Sequence, residues 1–139
     1  MNQRIKIFIV EYDCVSLITL MLWLDQFADL DVLGTTVDTG SLRSQIDDLK
    51  PDVVLLDIAT PGPEDVPQLR ECKSVEPPPA VLLLYHGDPD GLEGPLKAES
   101  EGQLGPETSM SELYDSIVRA ASLRRLMLSA ALLPAMQAG

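Results

Sequence analysis

A short apolar run that ends in a carboxylate constrains the fold of this chain most strongly. Residues 50–57 have the sequence KPDVVLLD, so Pro51 precedes the aliphatic run and Asp57 ends it. An apolar run of this length, followed by the turn at residues 60–62 (TPG), predicts a fully buried strand of a parallel sheet. In open parallel sheets the chemistry lies at the carboxyl ends of the strands, which is where this pattern puts Asp57.

Apolar runs alternate with helix-like segments along the chain. Strands are predicted at residues 5–10, 32–37, 52–57, 80–85 and weakly near 103–104, and helices at residues 14–30, 42–49, 64–74, 92–101 and 112–133. This alternation indicates an α/β fold, a doubly wound five-stranded parallel sheet flanked by helices. Because residues 87–106 are rich in Gly and Pro, we expect an irregular fourth helix and fifth strand. Asp13 is the predicted N-cap of the first helix, and Pro134 is predicted to end the last.

The charge balance limits the classes of partner. The 139 residues, enough for one domain with its own core, carry 22 acidic and 10 basic side chains, a formal net charge of −12. A surface this acidic argues against direct binding of nucleic acid. No apolar run is long enough to span a membrane, and Cys14 and Cys72 lack the spacing of a metal site. We therefore expect a cytoplasmic protein with reduced thiols and no membrane contact.

Three segments together resemble the receiver domain of bacterial two-component response regulators, over residues 4–125. Residues 7–13 (IFIVEYD) match a first strand followed by an acidic pair, residues 51–57 match the strand that ends in the phosphoacceptor, and residues 60–62 match the turn after it. The resemblance implies a flavodoxin-like receiver fold in which Asp57 accepts a phosphoryl group from a histidine kinase. It also implies a divalent cation beside Asp57, a hydroxyl after the fourth strand and a lysine after the fifth.

The metal-binding positions depart from the family pattern. Glu11 keeps the first acid of the pair, but Tyr12 occupies the second, and a neutral phenol is a poor Mg²⁺ ligand. Asp13 is the nearest substitute, so we expect Glu11 and Asp13 to form an acidic pocket beside Asp57. If Mg²⁺ binds, Glu11 and Asp57 are its expected ligands, and Tyr12 weakens the site.

The hydroxyl and lysine positions depart as well. Tyr85, or Leu84 with a one-residue slip, stands where the family has a small hydroxyl residue, and Pro106 stands where it has the lysine. Lys97 is the nearest base, and it belongs to the preceding segment. His86 is the only histidine, and its place just past a strand favours a loop residue over a metal or phosphorelay role. The resemblance is therefore to a degenerate receiver, a pseudo-receiver.

Three interpretations of Asp57 remain open at this point. It is a strand-end residue retained from ancestry and bonded to local amides, or a working phosphoacceptor that uses Glu11, Asp13 and a rearranged metal, or part of a pocket for another ligand. We expect a protein-interaction module, not an enzyme, that acts independently of phosphorylation. A nucleotide-binding or other small-molecule function is disfavoured because the chain has no Gly-rich phosphate loop.

Two helices carry more apolar residues than a solvent-exposed helix needs. We expect a receiver-like domain at residues 1–125 and an apolar helical extension at residues 126–139. The predicted interface residues on the two helices are Leu17, Ile18, Met21, Leu22, Leu123, Leu126, Met127, Ala130 and Leu133. A helix that is apolar all round must be covered. The alternatives are that the extension folds back over the first helix, that two copies form a homodimer, or that another protein binds.

Overall fold

The computed structural model describes residues 4–38 and 40–138, with side chains described up to residue 131. The strands are β1 (Ile5–Val10), β2 (Leu30–Thr36), β3 (Val53–Ala59), β4 (Ala80–Tyr85) and β5 (Gly102–Leu104), and the helices are α1 (Cys14–Asp25), α2 (Leu42–Leu49), α3 (Val66–Cys72), α4 (Pro95–Glu99) and α5 (Met110–Ala138). All neighbouring strands are parallel, in the order β2-β1-β3-β4-β5. The predicted fold class, a five-stranded parallel sheet flanked by helices, is confirmed.

Each face of the sheet is covered by a different set of helices. Successive side chains of a strand point to opposite faces, so Ile7 and Ile9 of β1 pack under α1 and α5, whereas Phe8 and Val10 pack under α2, α3 and α4. Because both faces are buried, the central strands are near-continuous apolar runs, which is why they could be recognised in the sequence. The first and last helices therefore share one face of the sheet.

Most predicted elements lie where the sequence indicates, and the differences are at the ends of helices and strands. α2 and β4 have the predicted bounds. α1 is shorter than predicted, because the chain leaves the helix at Asp25 and turns so that Leu30 can begin β2. α5 is longer than predicted and continues past Pro134. Proline has a φ close to that of a helix, so the backbone can continue through it, although one hydrogen bond is lost and the ring crowds the carbonyl group one turn earlier.

The Gly/Pro-rich segment before β5 is irregular, as predicted. A 3₁₀ turn at Pro89–Leu92 precedes α4, which has 5 residues, and β5 has only 3. The buried side chains of Leu92 and Leu96 attach this segment to the sheet. Gly91 lies so close to the turn after β3 that a Cβ on it would be 1.9 Å from the Pro61 carbonyl oxygen. This contact fixes the segment beside the Asp57 end of the sheet.

The last helix leaves the body of the domain at the edge opposite Asp57. The guanidinium of Arg124 donates to the Pro78 carbonyl oxygen at 2.8 Å and to Asp52 at 3.1 Å, both just before strands begin. Beyond this anchor the described side chains are mostly exposed. Because α5 is one continuous helix, the extension does not fold back over α1, and that alternative is wrong. Among the described residues, no helix is both long and apolar enough to cross a membrane.

Candidate functional site

Three side chains that can bind a metal meet where β1, β3 and β4 end. Glu11 directly follows β1, Asp57 lies near the end of β3, and His86 directly follows β4. One ligand atom from each of the three lies within 4.8 Å of those of the other two. Glu11 is 2% exposed and Asp57 is 4% exposed, whereas the side chain of His86 is 54% exposed. The site is therefore a buried pair of carboxyl groups with an imidazole at its solvent side.

Backbone geometry fixes the orientation of Asp57. Its Oδ1 accepts a hydrogen bond from the Ala59 amide at 2.8 Å. Between the two residues the pairing with β4 shifts register, and Ala59 adopts a left-handed φ of 50°. A non-glycine residue in this conformation is strained, so the turn holds the carboxylate at a cost. Asp57 Oδ2 faces the Nε2 of His86 at 3.4 Å.

Glu11 and Asp57 are too close for both to ionise easily. Burial raises the pKa of Glu11 from 4.5 to about 8, and its hydrogen bond with Asp57 acts in the same direction. The Asp13 amide donates to Glu11 Oε1 at 3.1 Å and partly opposes this shift. At neutral pH the Glu11 carboxyl group is therefore mostly protonated.

The side chains of Tyr12 and Asp13, which follow Glu11, do not point towards Asp57. The Tyr12 hydroxyl donates to Gln68 Oε1 at 3.0 Å, and the residue is 47% exposed. Asp13 caps α1, where its carboxylate accepts from the Val15 amide at 3.3 Å and the Ser16 hydroxyl at 2.8 Å, which lowers its pKa. Glu11 thus lies in the predicted acidic pocket, but Asp13 is engaged at the helix terminus.

Tyr85 and Pro106 line a mostly apolar cavity of about 250 Å³ beside this site. The phenol oxygen of Tyr85 lies against Gly105, because a Cβ on Gly105 would be only 2.9 Å from it. The ring therefore fills the space over the end of β5, where the resemblance implies a lysine. Lys97 is the last lysine in the sequence, so no ammonium group follows β5.

The donors at this end of the sheet do not fit the magnesium site that the resemblance implies. Mg²⁺ prefers octahedral oxygen coordination, usually with carboxylates and water. Tyr12 and Asp13 supply no oxygen to the cluster, and the third donor is the imidazole nitrogen of His86.

His86 was predicted to be a loop residue without a metal or phosphorelay role. A signal was available, because β4 neighbours β3 and His86 is the first residue after β4. Its amide donates to the Ala59 carbonyl oxygen at 2.7 Å, so the ladder between the two strands continues to this residue. This backbone hydrogen bond places the His86 imidazole beside the Asp57 carboxylate.

Most of the predicted interface residues are exposed. Ile18 (58%), Leu22 (62%) and Met21 (41%) form the outer face of α1, and Leu123 (46%), Leu126 (67%) and Met127 (63%) are exposed on α5. Ala130 is also exposed. Leu17 instead packs against the core under α1, since it lies on the side of the helix that faces the sheet. The side chain of Leu133 lies outside the described residues.

The sheet order, the flanking helices and the buried acid at the end of β3 define the fold of a response-regulator receiver domain. Among solved structures, the chain is similar to the signal receiver domain of a modulated diguanylate cyclase from Desulfovibrio desulfuricans G20 (TM-score 0.78, 22% identity, 90% of this chain and 99% of that one). It is also similar to the response regulator domain of Thermotoga maritima CheB (TM-score 0.69, 21% identity, 86% and 98%). The resemblance predicted from the motifs is confirmed by this likeness of fold.

Curated relatives are regulatory proteins in which the matched segment is a minor part. The chain is 32% identical over 94 residues to the positive alginate biosynthesis regulatory protein of Pseudomonas aeruginosa, covering 68% of this chain and 38% of that protein. It is 32% identical over 102 residues to a protein-glutamate methylesterase/protein-glutamine glutaminase 2 of Oleidesulfovibrio alaskensis, covering 73% of this chain and 28% of that protein. No family model matches the chain. These likenesses support a receiver domain of two-component signalling.

Proposed function

We propose that this chain is a signalling interaction module, an atypical receiver that acts independently of phosphorylation at Asp57. The observation that carries the proposal is the environment of Asp57. One carboxylate oxygen is held by the Ala59 amide at 2.8 Å, and the other faces His86 at 3.4 Å. Glu11 is buried beside the same carboxylate, so Ala59, His86 and Glu11 surround Asp57 where the resemblance implies phosphate and magnesium.

Electrostatics oppose a stable phosphoryl group at this site. Phosphoryl transfer depends on cations and donors that stabilise the charge on the transferred group, and each missing one raises the barrier. Tyr12 points away, Tyr85 carries a long phenol in place of a small hydroxyl, and no lysine follows β5. A phosphoryl group would bring further negative charge beside Glu11 in a chain of net charge −12.

A phosphorylatable receiver is the alternative function. It is favoured by the retention of Asp57 and Glu11 at the ends of adjacent strands, the arrangement that the resemblance implies for phosphoacceptor and metal ligand. In that case a histidine kinase is the partner that supplies the phosphoryl group. His86, which is largely exposed, would have to move away from Asp57 before the reaction.

Phosphorylation of the intact chain separates the two functions. The protein is incubated with acetyl phosphate and Mg²⁺, and its mass is measured beside an Asp57→Asn control. Our proposal predicts no added phosphoryl mass and no change in the amide spectrum with beryllofluoride. A phosphoryl adduct in the wild type that is lost in the control would overturn it and establish the alternative.

We also propose that the module forms a homodimer through α1 and the extension of α5. In an isologous pair, the extension of each copy packs on the outer face of the other copy's α1. The extension carries no charged side chain and α1 carries only Asp25 at its end, so the contact between the two surfaces would be apolar. Burial of each large apolar side chain is worth about 1.5–3 kcal/mol, and several together exceed the entropic cost of association, about 4–15 kcal/mol.

Charge insertion on each surface tests the homodimer. Sedimentation analysis of the wild type is compared with Leu22→Glu on α1 and Leu126→Glu on α5. The control is Val37→Glu, because Val37 is 56% exposed and directly follows β2, at the end of the sheet opposite the extension. We expect a dimeric wild type and control and two monomeric variants. A wild type that is monomeric at micromolar concentration would refute this interface and leave another protein as the partner.

A cytoplasmic location is part of this proposal. It is supported by the cysteines, since Cys14 is exposed and Cys72 is buried and both are free thiols. Free thiols persist in reducing compartments, where disulfides are rare. Detection of the protein in the cytoplasmic fraction of its host cell is the corresponding test.

A further inference from the structure

The mismatch with magnesium points to a different class of metal. We propose that Glu11, Asp57 and His86 form a binding site for a transition-metal dication of the zinc class. Imidazole nitrogen is a preferred ligand of zinc, cobalt and nickel, and carboxylate oxygen is acceptable to them, whereas magnesium and calcium take oxygen donors. One nitrogen donor and two oxygen donors therefore select for the zinc class.

The spacing of the donors fits a shared ion better than a direct hydrogen bond. The distance from Asp57 Oδ2 to His86 Nε2 is 3.4 Å. A charge-assisted hydrogen bond between such groups is usually about 2.7–2.9 Å. Two ligands about 2.1 Å from a tetrahedral zinc ion are about 3.4 Å apart. Since the atoms of all three residues lie within 4.8 Å of one another, small side-chain rotations bring Glu11 to the same ion.

Backbone hydrogen bonds orient both carboxyl groups for this role. The Ala59 amide holds Asp57 Oδ1, and the Asp13 amide holds Glu11 Oε1, so each group is fixed through one oxygen. Hydrogen bonds of this kind commonly support metal ligands, because they fix the direction of the remaining lone pairs. The three ligands come from the ends of adjacent strands and not from one mobile loop. These features distinguish the cluster from a chance group of surface acids.

The exposed side of His86 leaves room for a further ligand. Its side chain is 54% exposed, whereas Asp57 and Glu11 are almost fully buried. A metal held by three protein groups therefore has an open position towards solvent, which water or a donor from a partner protein can occupy. The bound metal would neutralise the carboxyl pair and engage the Asp57 oxygen that a phosphoryl group needs.

Metal titration of the intact chain tests the site. The starting protein carries Cys14→Ser, because Cys14 is an exposed thiol that can bind zinc by itself. Zn²⁺ is titrated against a chromophoric chelator, and Co²⁺ is used to record the visible absorption of a site with four or five ligands. The test variant is His86→Ala. The matched control is Asp88→Asn, which changes an exposed acid in the same loop and keeps its capping oxygen.

The expected result is one Zn²⁺ per chain, with an affinity that falls about 100-fold in His86→Ala and is unchanged in Asp88→Asn. Mg²⁺ at millimolar concentration should not displace the zinc. Weak binding of several ions, or equal affinity in His86→Ala and its parent, would overturn the site. Because His86 is exposed, its variant should fold, and a circular dichroism spectrum checks this. Zinc binding and phosphorylation are tested separately. The metal titration contains no acetyl phosphate, and the acetyl phosphate assay is run with a chelator for zinc present.

Discussion

His86 Nε2 lies 3.4 Å from Asp57 Oδ2, and a ligand atom of the buried Glu11 lies within 4.8 Å of both residues. Both acids and the imidazole occupy the ends of adjacent parallel strands, so the sheet itself creates the cluster. In this position His86 brings a nitrogen donor beside the two carboxyl groups, whereas the resemblance implies oxygen donors alone.

The raised pKa of Glu11 should make folding stability depend on pH. The pKa of Glu11 rises from 4.5 to about 8 on folding, so between these values the folded chain retains a proton that the unfolded chain loses. The free energy of unfolding should consequently fall as pH rises through this window, by on the order of 1–3 kcal/mol. Urea denaturation at a series of pH values, with a metal chelator present, measures the effect.

A matched pair of variants isolates the contribution of Glu11 to this dependence. Both proteins carry His86→Ala, which removes the neighbouring imidazole, and one also carries Glu11→Gln. The amide of Gln can still donate to Asp57 but does not titrate in this range. We expect the fall in stability across the window to disappear with Glu11→Gln. An unchanged slope would mean that another group binds the proton.

The sheet could be predicted from the sequence because both of its faces are buried. Residues 53–56 and 80–84 are uninterrupted apolar runs, and only a strand covered on both sides requires this. The proximity of Glu11 and Asp57 also followed, because parallel strands end at the same edge. These conclusions depend on backbone topology alone, which alternating strands and helices largely determine.

The N-cap role of Asp13 was predicted and is confirmed, and this role turns its carboxylate onto the first turn of α1 and away from the expected acidic pocket. The order of the strands brings the end of β4 beside Asp57, but the approach of His86 to that carboxylate also involves the register shift between Asp57 and Ala59. Residue types carry no clear signal for such a shift. The length of α5 was likewise missed, since Pro134 predicts an end that the backbone does not have.

The anchor of α5 to the body of the domain should be important for stability. The Arg124 guanidinium binds Asp52 at 3.1 Å and the Pro78 carbonyl oxygen at 2.8 Å, and both side chains of the ion pair are largely buried. We expect Arg124→Ala to lower the free energy of unfolding by about 2–4 kcal/mol, because Asp52 is left without its cation. The control is Arg125→Ala at the exposed neighbouring residue, which should change the free energy of unfolding by less than about 0.5 kcal/mol. Chemical denaturation of the two variants side by side gives the comparison.

The contact between Gly91 and the turn after β3 gives a further prediction. A Cβ at Gly91 would lie 1.9 Å from the Pro61 carbonyl oxygen, and a backbone atom cannot rotate away. We expect Gly91→Ala to cost about 2–3 kcal/mol of folding stability. Gly40→Ala is the control, because its nearest atom is the flexible Asp38 carboxylate at 3.2 Å, and little loss is expected. Similar thermal denaturation midpoints for the two variants would contradict the close contact between Gly91 and the Pro61 carbonyl oxygen.

Removal of residues 126–139 tests the proposed boundary between domain and extension. The described side chains beyond Arg124 are mostly exposed, so they add little to the core, and at about 1.5 Å per residue the helix projects roughly 20 Å past its anchor. At low concentration the truncated chain should unfold at the same denaturant concentration as the full chain. A homodimer is stabilised by mass action, so the midpoint of the full chain should rise with protein concentration, and that of the truncated chain should not. The full-length Leu126→Glu variant should behave like the truncated chain, whereas unfolding of the truncated chain at every concentration would show that the extension belongs to the core.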